Sequence, residues 1–386
     1  MKPFSMRRRV AAVLAVAALA PALTAWSPAA RPAARVLSCA RLPITPDPAT
    51  GGHQPPWDMP PVVDGLFEDI AARSSSSAVA VGGDFGALVA RWNGTAWKTL
   101  NSPAVAGASF LYGVAVFDGG AWAVGQQDMS GAPLVGIPLL VRVTGTTVRQ
   151  VPVPRTPDGA DGLQAVAATS ATDAWAVGWI GVHGSLIWHW NGAAWKNVRL
   201  PAAVARVVGP VGGVAATSRT NVWLVSRGRI VHWNGRWWTV ISPNIGIGRR
   251  YDLTGVAATS ARNVFATGRT NPGQRALMLH WNGRQWTCTL TPRISAQLFA
   301  VSTSSPDNAW AVGNNAWPAG GPDDALALHW NGHTWKQVFT AQPGGSDTDL
   351  QGVGLVPRSD RAWAVGFING DIDGTLMMHW NGTAWK

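Results

Sequence analysis

Histidine recurs at one position of the sequence, immediately before a Trp-Asn-Gly triplet. Five of the eight His residues occupy it, namely His189, His232, His280, His329 and His379. Two imidazoles that share a zinc ion at about 2 Å each must lie within about 4 Å of each other. One His per structural unit, with units packed as sheets about 10 Å apart, does not meet that distance. We interpret these residues as structural and expect no metal and no other cofactor.

Residues 369–374 match the first half of a calcium-binding loop in their Asn-Gly-Asp-Ile-Asp-Gly order. The position that should hold the closing glutamate is Trp380, so the match is incomplete. A weak calcium turn and an Asx-Gly-rich hairpin remain the two interpretations of this segment.

Residues suited to acid–base or nucleophilic catalysis are scarce. Glu68 is the only Glu, and Tyr112 and Tyr251 are the only two Tyr. A sialidase-like Tyr nucleophile with its Arg cluster is not visible, and neither is a copper site built from paired Tyr, a Tyr-linked Cys and His. We therefore predict a protein without a catalytic site.

Aromatic side chains outside the recurring positions are candidates for stacking on a sugar. Most of the 23 Trp recur at fixed positions, as expected of a hydrophobic core. Trp179, Trp317 and Phe367 do not, and they fall in irregular connections. Packing against neighbouring loops is the alternative role for these three.

Positive charge is concentrated between residues 206 and 293. This segment contains twelve Arg, no Lys and only Asp252 as an acid, a local net charge of +11. Such a sector could attract an anionic cell-wall polymer or an acidic glycan, with nucleic acid a less plausible partner for an exported chain. The candidate contacts are Arg227, Arg249, Arg250, Arg269 and Arg275, and solvated arginines without a ligand are the alternative.

A repeat of 43–51 residues must position all of these side chains. Its copy at residues 163–200 contains four short β-type runs in succession. The Trp of the Trp-Asn-Gly triplet marks the copies at Trp92, Trp190, Trp233, Trp281, Trp330 and Trp380, with Val143 in a degenerate copy. Four strands at this period are typical of a propeller blade. The sequence predicts an all-β, seven-bladed β-propeller of four-stranded antiparallel blades over residues 61–386.

The turns of this repeat divide the propeller into two faces. Asn-Gly pairs such as Asn191-Gly192 predict type I′ hairpin turns, and Thr-Ser-x-x-Asx runs predict turns held by side-chain hydrogen bonds. These regular turns share one face. The irregular connections share the other, including residues 125–138, 179–184, 314–324 and 367–375, and binding is expected there.

Residues 173–178 (DAWAVG), followed by residues 186–196 (LIWHWNGAAWK), resemble the repeats of secreted actinobacterial propellers described as kelch-like or galactose-oxidase-like. The resemblance spans about residues 61–386. The repeat is more loosely similar to that of bacterial seven-bladed fucose-binding lectins. It lacks the lectins' Gly-rich connection, so this second resemblance implies no particular sugar-binding residue. Neither resemblance implies a catalytic activity.

Residues 1–30 are typical of a secretory signal peptide, with basic residues before a short apolar run, and no later run is long enough to span a membrane. Residues 31–60 form a Pro- and Ala-rich arm, whose residues 35–42 resemble the fourth strands of the repeat and could complete the last blade. Cys39 and Cys288 are the only cysteines. Export permits a disulfide between them, and two unpaired thiols are the alternative.

Together these features predict a secreted, extracellular, non-enzymatic propeller that binds carbohydrate or a cell-envelope polymer. A scaffold for protein–protein interaction without a small ligand is the alternative hypothesis, and an extracellular enzyme is the third.

Overall fold

The computed structural model describes residues 37, 39–42, 65–83, 86–102, 108–128, 136–156, 161–246, 250–271, 274–291, 295–316, 324–340, 347–369 and 374–386. Within these ranges the elements are β-strands, apart from one short helix, α1 (Ala202–Val208). The described part of the chain contains no helix with the length and hydropathy needed to cross a membrane. The signal peptide and most of the arm predicted for residues 1–60 lie outside the described residues.

The strands follow one another as antiparallel meanders, after a two-residue strand β1 (Ala40–Arg41). The first four meanders contain β2 (Leu66–Ser74), β3 (Ser77–Gly83), β4 (Ala87–Trp92), β5 (Trp97–Thr99); β6 (Ser109–Phe117), β7 (Gly120–Asp128), β8 (Gly136–Thr144), β9 (Thr147–Gln150); β10 (Asp161–Ser170), β11 (Asp173–Ile180), β12 (Gly184–Trp190), β13 (Trp195–Asn197); and β14 (Gly213–Ser218), β15 (Asn221–Ser226), β16 (Arg229–Trp233), β17 (Trp238–Ile241).

The remaining strands continue the same pattern to the end of the sequence. They are β18 (Tyr251–Ser260), β19 (Asn263–Thr270), β20 (Ala276–Trp281), β21 (Trp286–Leu290); β22 (Ser295–Ser305), β23 (Asn308–Ala316), β24 (Asp324–Trp330), β25 (Trp335–Val338); and β26 (Asp347–Leu355), β27 (Ala362–Asn369), β28 (Gly374–Trp380). The last meander has three described strands, and a bridge between Trp380 and Trp385 begins its fourth.

Each meander is a sheet of its own, except that β1 joins the sheet of the fifth meander and that the first two meanders share one sheet. The first two meanders are joined into an eight-stranded sheet through a single residue pair, Gly83 and Phe110. In every meander the first strand pairs with the second, and the second pairs with the third. The sequence order of the repeat is therefore also the order of the strands across each sheet.

Glycine at the end of the second strand allows the first two strands to pair closely. A Cβ at Gly178 would lie 2.0 Å from the carbonyl oxygen of Gly162, and a Cβ at Gly313 would lie 2.0 Å from that of Gln297. No side chain tolerates such contacts with backbone, so the Gly of the Ala-Val-Gly run is a requirement of this strand pairing.

The hydrophobic core lies between consecutive meanders. The fully buried Trp122 of β7 packs at 5.2 Å from both Trp190 and Trp195 of the next meander. Trp310 of β23 contacts Trp380 and Trp385 in the same way, at 5.0 and 4.8 Å. The recurring Trp residues thus stabilise the contact of neighbouring sheets, as their regular spacing predicts.

The arm contacts the fifth meander. Strand β1 pairs in parallel with β21, with Ala40 opposite Thr289 and Arg41 opposite Leu290. A disulfide joins Cys39 to Cys288 across a Cα–Cα distance of 4.5 Å, which confirms the candidate pairing. The expectation that residues 35–42 complete the last blade is wrong for the described residues 39–42. Their backbone instead extends the exposed edge of β21.

The Asn-Gly segments form hairpins, but the predicted type I′ turn is wrong. Trp190 pairs with Trp195, so the loop contains four residues, and within it Gly192 alone has a positive φ, of 95°. The side-chain oxygen of Asn191 accepts hydrogen bonds from the backbone N–H groups of Ala193 and Ala194. The Asn side chain, rather than a left-handed Asn backbone, therefore stabilises the turn.

The first hairpin of the meander follows the prediction. Ser170 accepts a hydrogen bond from the backbone N–H of Thr172, and Ser218 and Ser260 do the same for Thr220 and Arg262.

Candidate functional site

A central cavity of about 800 Å³ is enclosed by the first strands of the meanders. Residues of β2, β6, β10, β14, β18, β22 and β26 line it in turn. The inner strands are built mainly from Ala, Val, Gly and Thr, because the sheets are crowded where they converge. The cavity runs along these strands as a channel.

One end of the channel is lined by residues that sit at β-bulges. The pairing of the first strand with the second shifts by one residue after Phe67, Leu111, Leu163, Leu253, Leu298 and Leu350. The skipped residues are Glu68, Tyr112, Gln164, Thr254, Phe299 and Gln351, and all of them line the channel. A bulge leaves one residue out of the ladder and changes the direction of its side chain. We call these six residues, with Gly212 at the corresponding position before β14, the bulge ring.

The two ends of the channel differ in chemistry. The end away from the bulge ring is lined by Ala72, Ala168, Ala216 and Ala258 together with Thr303 and Leu355. The bulge ring contains carboxylate, phenol, amide, hydroxyl and phenyl groups. It lies where the second strand ends and the third begins, on the face of the irregular connections.

Glu68 and Tyr112 lie next to each other on neighbouring first strands. Burial raises the pKa of the Glu68 carboxyl. Burial also raises the pKa of the Tyr112 hydroxyl, and the charge of Glu68 raises it further. Tyr112 stacks on Phe110 at 6.3 Å with an interplanar angle of 8°. The single Glu of the chain and one of its two Tyr thus share one side of the channel mouth.

Asp69, the next residue after Glu68, has a structural role. Its Oδ1 accepts a hydrogen bond from the backbone N–H of Ile70, and its Oδ2 accepts one from that of Val114, both at 2.8 Å. Burial raises its pKa to about 7, while these two hydrogen bonds act in the opposite direction. The Asp69 carboxylate therefore links β2 to β6 and is occupied by backbone groups.

Trp179 completes an aromatic side of the mouth. Its ring lies 6.2 Å from that of Tyr112 and covers Gly162, where a Cβ would come within 2.2 Å of its Cζ2 atom. The absence of a side chain at residue 162 thus determines the position of the indole. Phe110, Tyr112 and Trp179 form a half-buried aromatic surface beside the Glu68 carboxylate.

The positive groups lie on the fourth and fifth meanders. Arg227 follows β15 and is exposed, and among the described residues no hydrogen bond or ion pair involves its side chain. Arg269 of β19 donates a hydrogen bond to the side-chain oxygen of Gln297 at 2.5 Å. Asp252 lies beside Arg269 across the β18–β19 pair. The mouth therefore has an acidic and aromatic side and a mainly basic side.

The residues proposed from sequence are only partly brought together. Trp179, Arg227 and Arg269 line the channel, whereas Phe367, Arg250 and Arg275 do not. The Arg275 side chain donates to the carbonyl oxygen of Thr291 at the outer part of its sheet. Trp317 and Arg249 lie outside the described residues, as do residues 370–373 of the calcium-like segment.

The bulge ring is not identified by the sequence analysis, although the repeat contains a signal for it. In the repeat, a large apolar residue is followed by a variable one, then by a small residue and Val, as in Leu163-Gln164-Ala165-Val166 and Leu298-Phe299-Ala300-Val301. Only Asp69 and Ile70 of the first copy depart from the small-residue and Val positions. Variation at one position of an otherwise regular repeat marks a position that core packing does not determine.

The recurring His residues have the structural role that was predicted. The ring Nε2 of His232 donates to the Oδ1 of Asn221 at 2.8 Å, and that Asn donates to the hydroxyl of Thr217 at 2.5 Å. His280 and His329 bond Asn263 and Asn308 in the same way, and His189 bonds Asp173. Each ring also packs on the aromatic residue of the second strand. No cluster of metal-ligating side chains occurs within the described ranges.

Comparison of the fold with solved structures finds β-propellers. The chain is similar to YCF48 bound to D1 peptide, with a TM-score of 0.54 and 16% identity over 82% of this chain and 94% of that chain. It is similar to the WD40 β-propeller domain of Doa1, with a TM-score of 0.52 and 13% identity over 82% of this chain and 94% of that chain. It is also similar to the GH74 xyloglucanase from Xanthomonas campestris, with a TM-score of 0.55 and 15% identity over 81% of this chain and 52% of that chain. Identities this low show the fold alone.

No protein-family model matches the sequence, and no curated protein matches it. The strand order, the channel and the structural similarities together define the chain as an all-β β-propeller with four-stranded antiparallel blades.

Proposed function

We propose that this propeller is an exported, non-enzymatic binding module that holds carbohydrate at the mouth of its channel. The observation that carries the proposal is the bulge ring, where an otherwise apolar and repetitive channel presents varied polar and aromatic side chains. We also infer that the ring consists of seven blades, one for each copy of the repeat, in agreement with the kelch-like resemblance.

The chemistry of the mouth suits a sugar. Carbohydrates present an apolar face of C–H groups and a rim of hydroxyls, so their sites combine aromatic surfaces with a few polar groups. Tyr112 and Trp179 offer the aromatic surface. Glu68, Gln164 and Gln351 line the same cavity, and no hydrogen bond or ion pair within the described residues engages their side chains. These groups are available to bond hydroxyls.

The engagement of one carboxyl group favours binding over catalysis. Glycoside hydrolysis ordinarily requires two carboxyl groups on opposite sides of one bond. Of the two acids next to the aromatic surface, Asp69 is occupied by backbone N–H groups, which leaves Glu68. The other acid of the mouth, Asp252, belongs to β18, on the fifth meander.

Export is supported by two independent features. Residues 1–30 have the pattern of a signal peptide, and disulfides such as Cys39–Cys288 persist in oxidising compartments. An extracellular location agrees with a polymer of the cell envelope as ligand.

A protein-interaction scaffold is the second candidate function. The YCF48 structure similar to this chain holds a D1 peptide. Exposed apolar side chains, Trp237 at 60% and Val182 at 78%, offer contact surface outside the channel. Capture of one discrete protein, together with an absence of glycan binding, would favour this candidate.

A glycan and cell-wall polymer array, probed at low and raised salt, tests carbohydrate binding. We expect binding that persists at raised salt, because the aromatic surface is uncharged. Loss of binding to an anionic polymer at raised salt would assign the contact to the arginines of residues 206–293.

A matched pair of glycine variants tests the location of the site. Gly162→Ala places a methyl group where the Trp179 ring lies, whereas Gly374→Ala meets no atom within 4 Å. We expect Gly162→Ala to weaken glycan binding about tenfold, which corresponds to about 1.4 kcal/mol, and Gly374→Ala to leave it unchanged. Trp179→Ala, which removes the ring, should match the first variant. Equal affinity of all three variants and the wild type would rule out this mouth as the sugar site.

A further inference from the structure

We propose that the Glu68 side of the channel mouth binds the ammonium group of an amino sugar, with the sugar ring against Tyr112 and Trp179. This inference rests on the proposed carbohydrate binding and specifies its ligand class.

The first reason is that the Glu68 carboxylate has no counter-ion among the residues that the structure describes. The ion pairs among the described residues are Arg73–Asp118, His189–Asp173 and Arg219–Asp173, and none involves Glu68. Glu68 is half-buried in the channel, and burial raises its pKa because the charged form is poorly solvated there. A buried charge without a partner is costly, and a ligand cation would relieve that cost.

The second reason is the aromatic surface beside the carboxylate. Tyr112 stacks on Phe110, and Trp179 lies 6.2 Å from Tyr112 at an angle of 52°. Aromatic faces attract a desolvated cation through their quadrupole. A carboxylate next to two aromatic rings is therefore a site for an ammonium group rather than for an anion.

The third reason is the distribution of the other charges around the mouth. The cations that line the channel, Arg227 and Arg269, belong to the fourth and fifth meanders. Glu68 and Tyr112 belong to the first and second meanders. Arg269 is held by Gln297, and Asp252 lies beside it. A ligand with one ammonium group would thus be oriented toward Glu68 and away from the arginines, since unlike charges attract and like charges repel across the mouth.

The other residues of the bulge ring favour a ligand with a sugar portion. Gln164 and Gln351 flank the Glu68–Tyr112 pair on the neighbouring meanders, and Gly212 leaves its position in the bulge ring open. A cavity of about 800 Å³ is in the size range of pockets for ligands larger than a simple amine.

The test compares three β-1,4-linked oligosaccharides of equal length by calorimetry: glucosamine, N-acetylglucosamine and glucose oligomers. The wild type should bind the glucosamine oligomer about tenfold more tightly than the other two. Glu68→Gln keeps the shape of the side chain and removes its charge, so the ratio of the affinities for the glucosamine and glucose oligomers should fall from about ten to about one.

Asp118→Asn is the charge-matched control. Asp118 is an exposed acid in the turn between β6 and β7, at the opposite end of the channel, and it pairs with Arg73. This variant should keep the preference for glucosamine, and thermal unfolding of both variants should confirm that they fold.

Each other outcome overturns a defined part of the account. Equal affinity for the three oligosaccharides, or a preference retained in Glu68→Gln, would refute the ammonium site while leaving carbohydrate binding intact. If none of the three binds but a lysine-containing peptide binds with the same dependence on Glu68, the amine belongs to a protein ligand. Absence of binding to all four probes would refute the ammonium site, and an absence of binding on the glycan array as well would refute the proposed function.

Discussion

His280 illustrates how a residue suited to chemistry is used for structure. Its Nε2 donates to Asn263, and its ring stacks on Phe265 at 4.1 Å with an interplanar angle of 2°. Sequence alone indicates this role, because five His recur before the same triplet. Sequence alone does not indicate the role of Glu68 and Tyr112, because each occurs only once in the bulge ring. The direction of each side chain depends on a β-bulge, which residue types alone do not specify.

Acid should weaken the contribution of the half-buried histidines to stability. Burial lowers the pKa of His280 from 6.5 to about 4 and lowers the pKa values of His232 and His329. The unfolded chain therefore takes up protons near pH 6.5 while these histidines of the folded chain do not, so their contribution to the free energy of unfolding should decrease from about pH 6.5 down to about pH 4. The raised pKa of Asp69 acts in the opposite direction between about pH 7 and pH 4, because the folded chain takes up that proton first.

NMR titration of the His280 ring, with denaturant unfolding at several pH values, measures this directly. The exposed His183 provides an internal reference. A His280 titration midpoint near 6.5 would contradict the assignment, whatever the net dependence of the unfolding free energy on pH.

At the scale of elements, sequence periodicity predicts the strands and their order because each meander repeats the same apolar and turn positions. It predicts neither the bulges nor the partner of the arm. The outer strands β5, β9, β13, β17, β21 and β25 offer similar edges to an added strand. The contact of β1 with β21 is instead accompanied by the disulfide between Cys39 and Cys288, 249 residues apart in sequence.

Reduction of this disulfide should release the arm and lower stability. A cross-link between distant residues restricts the unfolded chain, and such bonds typically contribute about 2–4 kcal/mol. We expect the urea midpoint to fall when the wild type is reduced, and to be low and insensitive to reductant in a Cys39→Ser/Cys288→Ser double variant.

An equal midpoint for the oxidised and reduced wild type would show that the disulfide contributes nothing to stability. Helix α1 and the inner strands should be unaffected in either state, because the disulfide lies at the outer edge of the fifth meander.

At the scale of the whole molecule, the sheets converge on a channel with two unlike ends. The regular end is lined by alanine, because the first strands repeat the same small residues there. The other end receives the bulge ring and the irregular connections, so variation within the repeat is concentrated on one face. The sequence predicts which face this is from the turns. The convergence of Trp179, Arg227 and Arg269 on one channel requires the closed arrangement of the blades.

The most direct test of the account is a crystal structure of the protein with the oligosaccharide that binds most tightly on the array. We predict sugar density at the irregular end of the channel, in contact with Tyr112 and Trp179 and with a polar group of the ligand at Glu68. Sugar bound at the alanine-lined end, or on the outer strands with an empty mouth, would contradict the assignment of the bulge ring as the binding site.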